Sequence, residues 1–124
     1  MAKLLIVDDE ADVREFAANF FRRRKIEVTT ASSGQEALNA IVALKPHLVL
    51  LDIKMDGMDG IETLRRLRQS DKDTKVIMVT GKRPDESDAF TQCQDLGVVD
   101  YIHKPLELDE LERTVMKLLK VNVK

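Results

Sequence analysis

The sequence predicts an α/β domain: a doubly wound, five-stranded parallel sheet with five helices on its two faces, in three αβα layers. Three observations carry this expectation. Short apolar runs alternate five times with segments of helical spacing, and alternating strands and helices imply a parallel sheet. The run Leu48 to Ile53 is apolar at nearly every position, as expected for a strand covered on both faces. Asp8, Asp9 and Asp52 stand where two apolar runs close, at the strand ends where such sheets bind ligands.

The elements follow in chain order. Residues 4–7 (LLIV) form the first strand, bounded by Asp8. Val13, Phe16, Ala17, Phe20 and Phe21 give a helical stripe with charges between them. Val28 to Ala31 is the second strand. Ser33 and Glu36 have capping-box spacing, ahead of the stripe Ala37, Leu38, Ile41 and Leu44. Pro46 stops that helix, because it lacks an N–H and clashes with the preceding turn. Leu48 to Ile53 is the third strand. Asp59 and Glu62 resemble another cap, before Ile61, Leu64 and Leu67. Val76 to Val79 is the fourth strand, ending at Thr80. Asp85 to Leu96 is a weaker helix, stopped by Gly97 in a left-handed cap position. Val98 to Ile102 is the fifth strand, and Leu108, Leu111, Val115, Leu118 and Leu119 line the last helix.

The totals set outer bounds. The chain of 124 residues suits a single domain, residues 1–124, with one core. Hydrophobic residues at 44% and charged residues at 34% describe a soluble globular chain. A net charge of -2 supplies no bulk attraction for nucleic acid or anionic lipid, so no direct nucleic-acid or membrane partner is expected. No apolar run approaches the roughly 20 residues of a membrane span. The single Cys93 excludes an internal disulfide and suits a reducing compartment, so a cytoplasmic location is expected.

Asp8, Asp9, Asp52, Thr80 and Lys104 all fall at strand ends, and their coincidence is more informative than any one of them. Carboxylates gathered without a counterion repel, and at least one pKa must rise. A hard divalent cation removes that problem, and Mg²⁺ prefers oxygen ligands. Asp9 and Asp52 are the expected direct ligands, Asp8 acts through a metal-bound water, and the backbone carbonyl of Lys54 completes the protein share. Asp52 is also a candidate nucleophile, since carboxylates form acyl phosphates once the incoming charge is neutralised. Thr80 offers a hydroxyl donor and Lys104 a compact cation on a long stem. Gly81 leaves space and a backbone N–H beside them.

The pieces LLIVDDE, LVLLDIKM–DGMDGIE, VIMVTG and LGVVDYIHKP, in this order, resemble the receiver domain of two-component response regulators of the chemotaxis-regulator type. The resemblance implies a flavodoxin-like fold, Mg²⁺ at Asp8, Asp9 and Asp52, and phosphorylation of Asp52 by a sensor histidine kinase or histidine phosphotransfer protein. It implies a switch in which Thr80 moves toward the phosphoryl group while Tyr101 turns inward, and a cis Lys104–Pro105 peptide. An unknown downstream protein would dock on the face formed by the fourth helix, fifth strand and last helix. The chain stops soon after that last helix, so no attached output domain is expected. Such a protein assists its own phosphorylation and dephosphorylation and is not an enzyme with a separate substrate. Two departures from the family pattern are visible: Asp56 stands where the family has Pro, and the stretch from Thr80 to Lys104 is longer, around KRPDESDAF. Lys54 and Lys82 flank the phosphoryl position in the family.

Plainer readings compete at single positions. Any one Asp is more simply a turn acid or cap. His47 and His103 are isolated, which argues against zinc. Cys93 on a helical stripe reads as a small buried hydrophobe. Arg22, Arg23, Arg24 and Lys25 suit a helix C-terminus, where cations interact favourably with the dipole. Gly57 and Gly60 are too sparse for a phosphate-cradling loop. A phosphatase or mutase with Asp52 as turnover nucleophile would carry an acid two residues on, where this chain has Lys54. A binding module without phosphotransfer is disfavoured by the complete set of five site residues.

Overall fold

The computed structural model describes residues 2–55, 57–81 and 94–123, with side chains to Leu119. Five strands are present: β1 (Lys3–Val7), β2 (Glu27–Ala31), β3 (Leu48–Asp52), β4 (Lys75–Thr80) and β5 (Asp100–His103). The helices among the described residues are α1 (Ala11–Arg22), α2 (Gly34–Leu44), α3 (Gly60–Arg68) and α4 (Leu108–Val123). The helix expected over Asp85 to Leu96 lies mostly outside the described residues; Gln94 and Asp95 are helical. The described count is therefore four helices against the five expected.

All strands are parallel, in the order β2-β1-β3-β4-β5. Successive side chains of a strand point to opposite faces, and the core divides accordingly. Leu4, Ile6, Leu50, Ile77, Val79 and Ile102 face α1 and α4 through Ala17, Phe21, Leu111 and Val115. Leu5, Val7, Val49, Leu51, Val76 and Met78 face α2 and α3 through Ala37, Ile41, Leu64 and Leu67. This is the three-layer, flavodoxin-like architecture.

Register brings the strand ends level. Val7 lies opposite Ala31 on one side and Leu51 on the other, so Asp8 and Asp52 emerge side by side. Asp52 lies opposite Val79, and Thr80 opposite His103, which places Lys104 one step beyond the same edge. Strand order reverses between β1 and β3, and the crevice there is where open α/β sheets hold ligands.

Local signals act as the residue types dictate. Ser33 Oγ accepts from the Glu36 N–H at 3.2 Å, but Glu36 reaches back to the Ser32 N–H and hydroxyl, so the box closes one residue early. Asp59 caps α3 by accepting from the Glu62 N–H at 2.8 Å. Gly97 adopts φ 77°, the left-handed turn expected of it. β5 begins two residues later than its β-branched run suggests. Val99 is 43% exposed and serves as a lead-in, donating its N–H to Val76 C=O at 3.0 Å. Arg68 fixes that lead-in from α3, donating to Leu96 C=O at 2.7 Å and Asp71 C=O at 3.2 Å. None of the helices among the described residues is long and apolar enough to cross a membrane.

Phe21 is fully buried and meets Phe20 edge-on with centroids 5.0 Å apart. Phe21→Ala should cost about 3–5 kcal/mol in urea unfolding, the cost of an unfilled aromatic cavity.

Candidate metal centre

Asp8, Asp52 and Thr80 are buried polar residues at the carboxyl edge of the sheet. Asp8 continues β1 by one bond, its N–H donating to Ala31 C=O at 3.2 Å. Its Oδ1 accepts from the Glu10 N–H at 2.9 Å, which folds the acidic segment back on itself at the start of α1. Arg14, one turn into α1, donates to the Asp8 carbonyl oxygen at 2.9 Å. Asp52 Oδ1 accepts from the Lys54 N–H at 3.3 Å, which holds the start of the β3–α3 loop against the carboxylate.

Lys104 joins these parts. Its Nζ lies 3.1 Å from Asp52 Oδ2, 3.3 Å from Asp8 Oδ2 and 3.5 Å from Glu10 Oε1. The Lys104 N–H donates to Thr80 C=O at 2.8 Å, so the lysine backbone is tied to the end of β4. The Lys104–Pro105 peptide is cis.

Electrostatics at this edge are unbalanced. Burial pushes the Asp52 carboxyl up to about 6, and the neighbouring Asp8 adds to that rise against the opposing pull of Lys104. Burial alone would pull Lys104 down, but its hydrogen bond to Asp52 and the charges of Asp52 and Asp8 hold it above the usual lysine value. One ammonium shared among three acids keeps its own proton firmly and leaves Asp52 undercompensated.

Carboxylate oxygens of Asp8, Asp9 and Glu10 lie within 4.8 Å of one another. These oxygen donors, joined to Asp52 through the Lys104 ammonium that Asp8 and Glu10 share, fit a hard divalent cation such as Mg²⁺. His47 is occupied elsewhere: its Nδ1 accepts from the Lys3 N–H at 2.9 Å.

Of the residues singled out from sequence, Asp8, Asp52 and Lys104 are in direct contact, Asp9 lies in the acidic cluster, and Thr80 is buried at the adjoining strand end. Tyr101 is half-buried and packs on the core beneath α2 and α3. Lys54 is exposed, and its N–H donates to Asp52 Oδ1. Asp56, Lys82, Cys93 and the segment KRPDESDAF lie outside the described residues. Two participants were not legible from sequence. Glu10 reads as a third solvated acid after two others, and Arg14 reads as a charged spacer in a helical stripe. Arg24 donates to the Phe20 carbonyl in the last turn of α1 at 3.0 Å, as expected at a helix C-terminus, and also pairs with Glu112 at 2.5 Å and covers the Phe20 ring at 3.6 Å.

Comparisons with known proteins agree with this geometry. Residues 4–116 match the response regulator receiver domain family. Sporulation initiation phosphotransferase F of Bacillus subtilis is 36% identical over 117 residues, 94% of this chain and 93% of that protein. Other curated relatives are longer, and the chain spans 25% of one and 51% of another. Chemotaxis protein CheY4 of Vibrio cholerae superposes with a TM-score of 0.87 at 27% identity, covering 96% of this chain and 99% of that one. Response regulator TrrA of Thermotoga maritima, solved in complex with Mg(2+)-BeF, superposes with a TM-score of 0.82 at 34% identity, covering 96% of this chain and all (100%) of that one. With its sheet order, its buried acids and its lysine all in place, the chain belongs to the receiver-domain family of two-component response regulators.

Proposed function

We propose that this chain, as one receiver unit over residues 1–124, is a phosphoacceptor switch whose accepting group is Asp52. The observation that carries this reading is the Lys104 ammonium, 3.1 Å from Asp52 and 3.3 Å from Asp8. The donor is a phosphohistidine on a sensor kinase or phosphotransfer protein. An Asp52 carboxylate oxygen attacks phosphorus, the P–N bond breaks, and the imidazole leaves with the electron pair and takes up a proton. The product is an acyl phosphate. Asp8, Asp9, Asp52 and the Lys54 carbonyl are the residues that would hold Mg²⁺. When bound, Mg²⁺ supplies the positive charge that lets phosphoryl oxygens approach these acids.

The remaining work falls to side chains already in place. Lys104 can turn from Asp52 to a phosphoryl oxygen without moving its backbone, because its stem is long and its N–H stays on Thr80. The Thr80 hydroxyl can donate to the same group. Among the described residues, no atom lies within 4 Å of where a Gly81 side chain would begin. Movement of Thr80 is read out at Tyr101, and β5 with α4 forms part of the partner-binding face. The chain has no substrate apart from itself in this scheme, so it is a signalling domain and not a turnover enzyme. The decisive experiment is mass spectrometry after incubation with Mg²⁺ and a small phosphodonor. One phosphoryl group located on Asp52 is expected; stable labelling elsewhere, or none, overturns the proposal.

Three outcomes follow from this site. Asp52→Asn should take up no phosphoryl group from a phosphohistidine donor, and a labelled variant would refute the assignment. In metal-free buffer the same variant should be more stable than the parent at pH 8. The folded Asp52 carboxyl, near 6, holds its proton more tightly than the unfolded one at 3.8, so ionisation opposes folding. That cost is absent below pH 4, grows between pH 4 and 6 and is complete above; the variant's advantage should follow it, reaching at most about 3 kcal/mol in denaturant titrations. Adding Mg²⁺ should narrow the gap by stabilising only the parent. Third, the sequence has one Tyr and no Trp, so intrinsic fluorescence reports Tyr101 alone. Lys104→Ala should fold and still accept phosphate, but its fluorescence should not respond to phosphorylation as the parent's does.

A further inference from the structure

We infer that Gly60 is a positioning residue for the acidic site, needed for the room it leaves above Asp52 and not for any special backbone angle. It does not have a positive φ; Gly57 and Gly97 are the glycines that do. Its constraint is space. A Cβ on Gly60 would overlap the Asp52 carbonyl oxygen, and would come within 2.8 Å of Ile53 Cα and 2.9 Å of the Asp52 carbonyl carbon. All three atoms are backbone, so no side-chain rotation can relieve the clash.

This contact closes the loop that carries Lys54. Gly60 donates its N–H to Ile53 C=O at 2.8 Å, so the loop leaves the end of β3 and returns to it at α3. At its start the Lys54 N–H is held on Asp52 Oδ1. At its end Asp59 caps α3, and the buried Thr63 hydroxyl donates to the Asp59 carbonyl at 2.8 Å. Thr63 is pressed in turn by α2, where a Cβ on Gly34 would overlap Thr63 Oγ1 and meet Met58 Sδ at 3.0 Å. The two helices thus clamp the loop from behind, and the first residue of α3 bears directly on the backbone of the accepting residue. A methyl group at position 60 must displace either Asp52 or the return end of the loop. Both belong to the proposed metal-binding share, and small misplacements of such groups are costly.

The inference rests on the reading of Asp52 and Mg²⁺ given above, and its test separates the two. Mg²⁺ affinity by calorimetry, labelling rate with a small phosphodonor, and urea stability are measured for the parent, Gly60→Ala and Phe21→Leu. Gly60→Ala should weaken Mg²⁺ binding and slow labelling by about tenfold or more. Phe21→Leu, altered in the core at the far end of α1, should lose stability and keep both parental values. Gly60→Ala with parental Mg²⁺ affinity and labelling overturns the inference while leaving the site intact. So does equal loss of Mg²⁺ affinity in both variants, which would make the effect one of general stability. A parent that neither binds Mg²⁺ nor accepts phosphate overturns the site itself and this inference with it. Should Gly60→Ala fail to fold, Thr63→Ala decides: it removes the hydroxyl bond to the Asp59 carbonyl and leaves only the Thr63 N–H bond there at 3.0 Å, which should weaken Mg²⁺ binding about threefold, and unchanged affinity refutes the clamp.

Discussion

Two buried carboxylates share one ammonium, and the architecture of the whole edge follows from that. Asp8 and Asp52 would repel each other across the β1–β3 junction if nothing lay between them. Lys104 reaches both because parallel register sets the ends of β1 and β3 level, and because a four-carbon stem spans the width of the intervening β4. The sharing is incomplete, since one positive charge faces Asp8, Asp52 and Glu10 together. That deficit suits the edge to a further positive charge, which in the proposed reaction is Mg²⁺ held by the same acids.

Rigidity around the deficit is supplied by the backbone. Arg14 holds the Asp8 carbonyl, Thr80 holds the Lys104 N–H, and the β3–α3 loop is pinned at both ends. The acids therefore sit in a fixed frame, while the ammonium that joins them is the member with rotational freedom. In the proposed switch, the charged group that changes partner is the one carried on a long side-chain stem, 22% exposed.

Much of this edge is legible in the amino-acid sequence alone. β3 could be read because both of its faces are covered and its apolar run is nearly unbroken, and the acid at its end stands out against that background. The start of β5 could not, because Val98 and Val99 have the side chains of a strand while only Val99 N–H joins the sheet. Glu10 and Arg14 were illegible for a related reason. An acid after two acids and an arginine between apolar helix positions are what solvent-facing residues look like, and only the fold shows which carbonyl or ammonium each one meets. Gly60 was visible as a glycine but not as a contact. The need for a hydrogen in place of a methyl arises from α3 returning onto Asp52, a tertiary event with no local signature.

The lysine that completes the edge is delivered by the last strand, whereas the first acid follows the opening one. During synthesis the acids emerge early and remain unmatched until β5 has been added and paired with β4. A chain interrupted before that point carries the buried acids Asp8 and Asp52 without the cation that balances them. The balanced edge is therefore completed only when the last strand docks on β4.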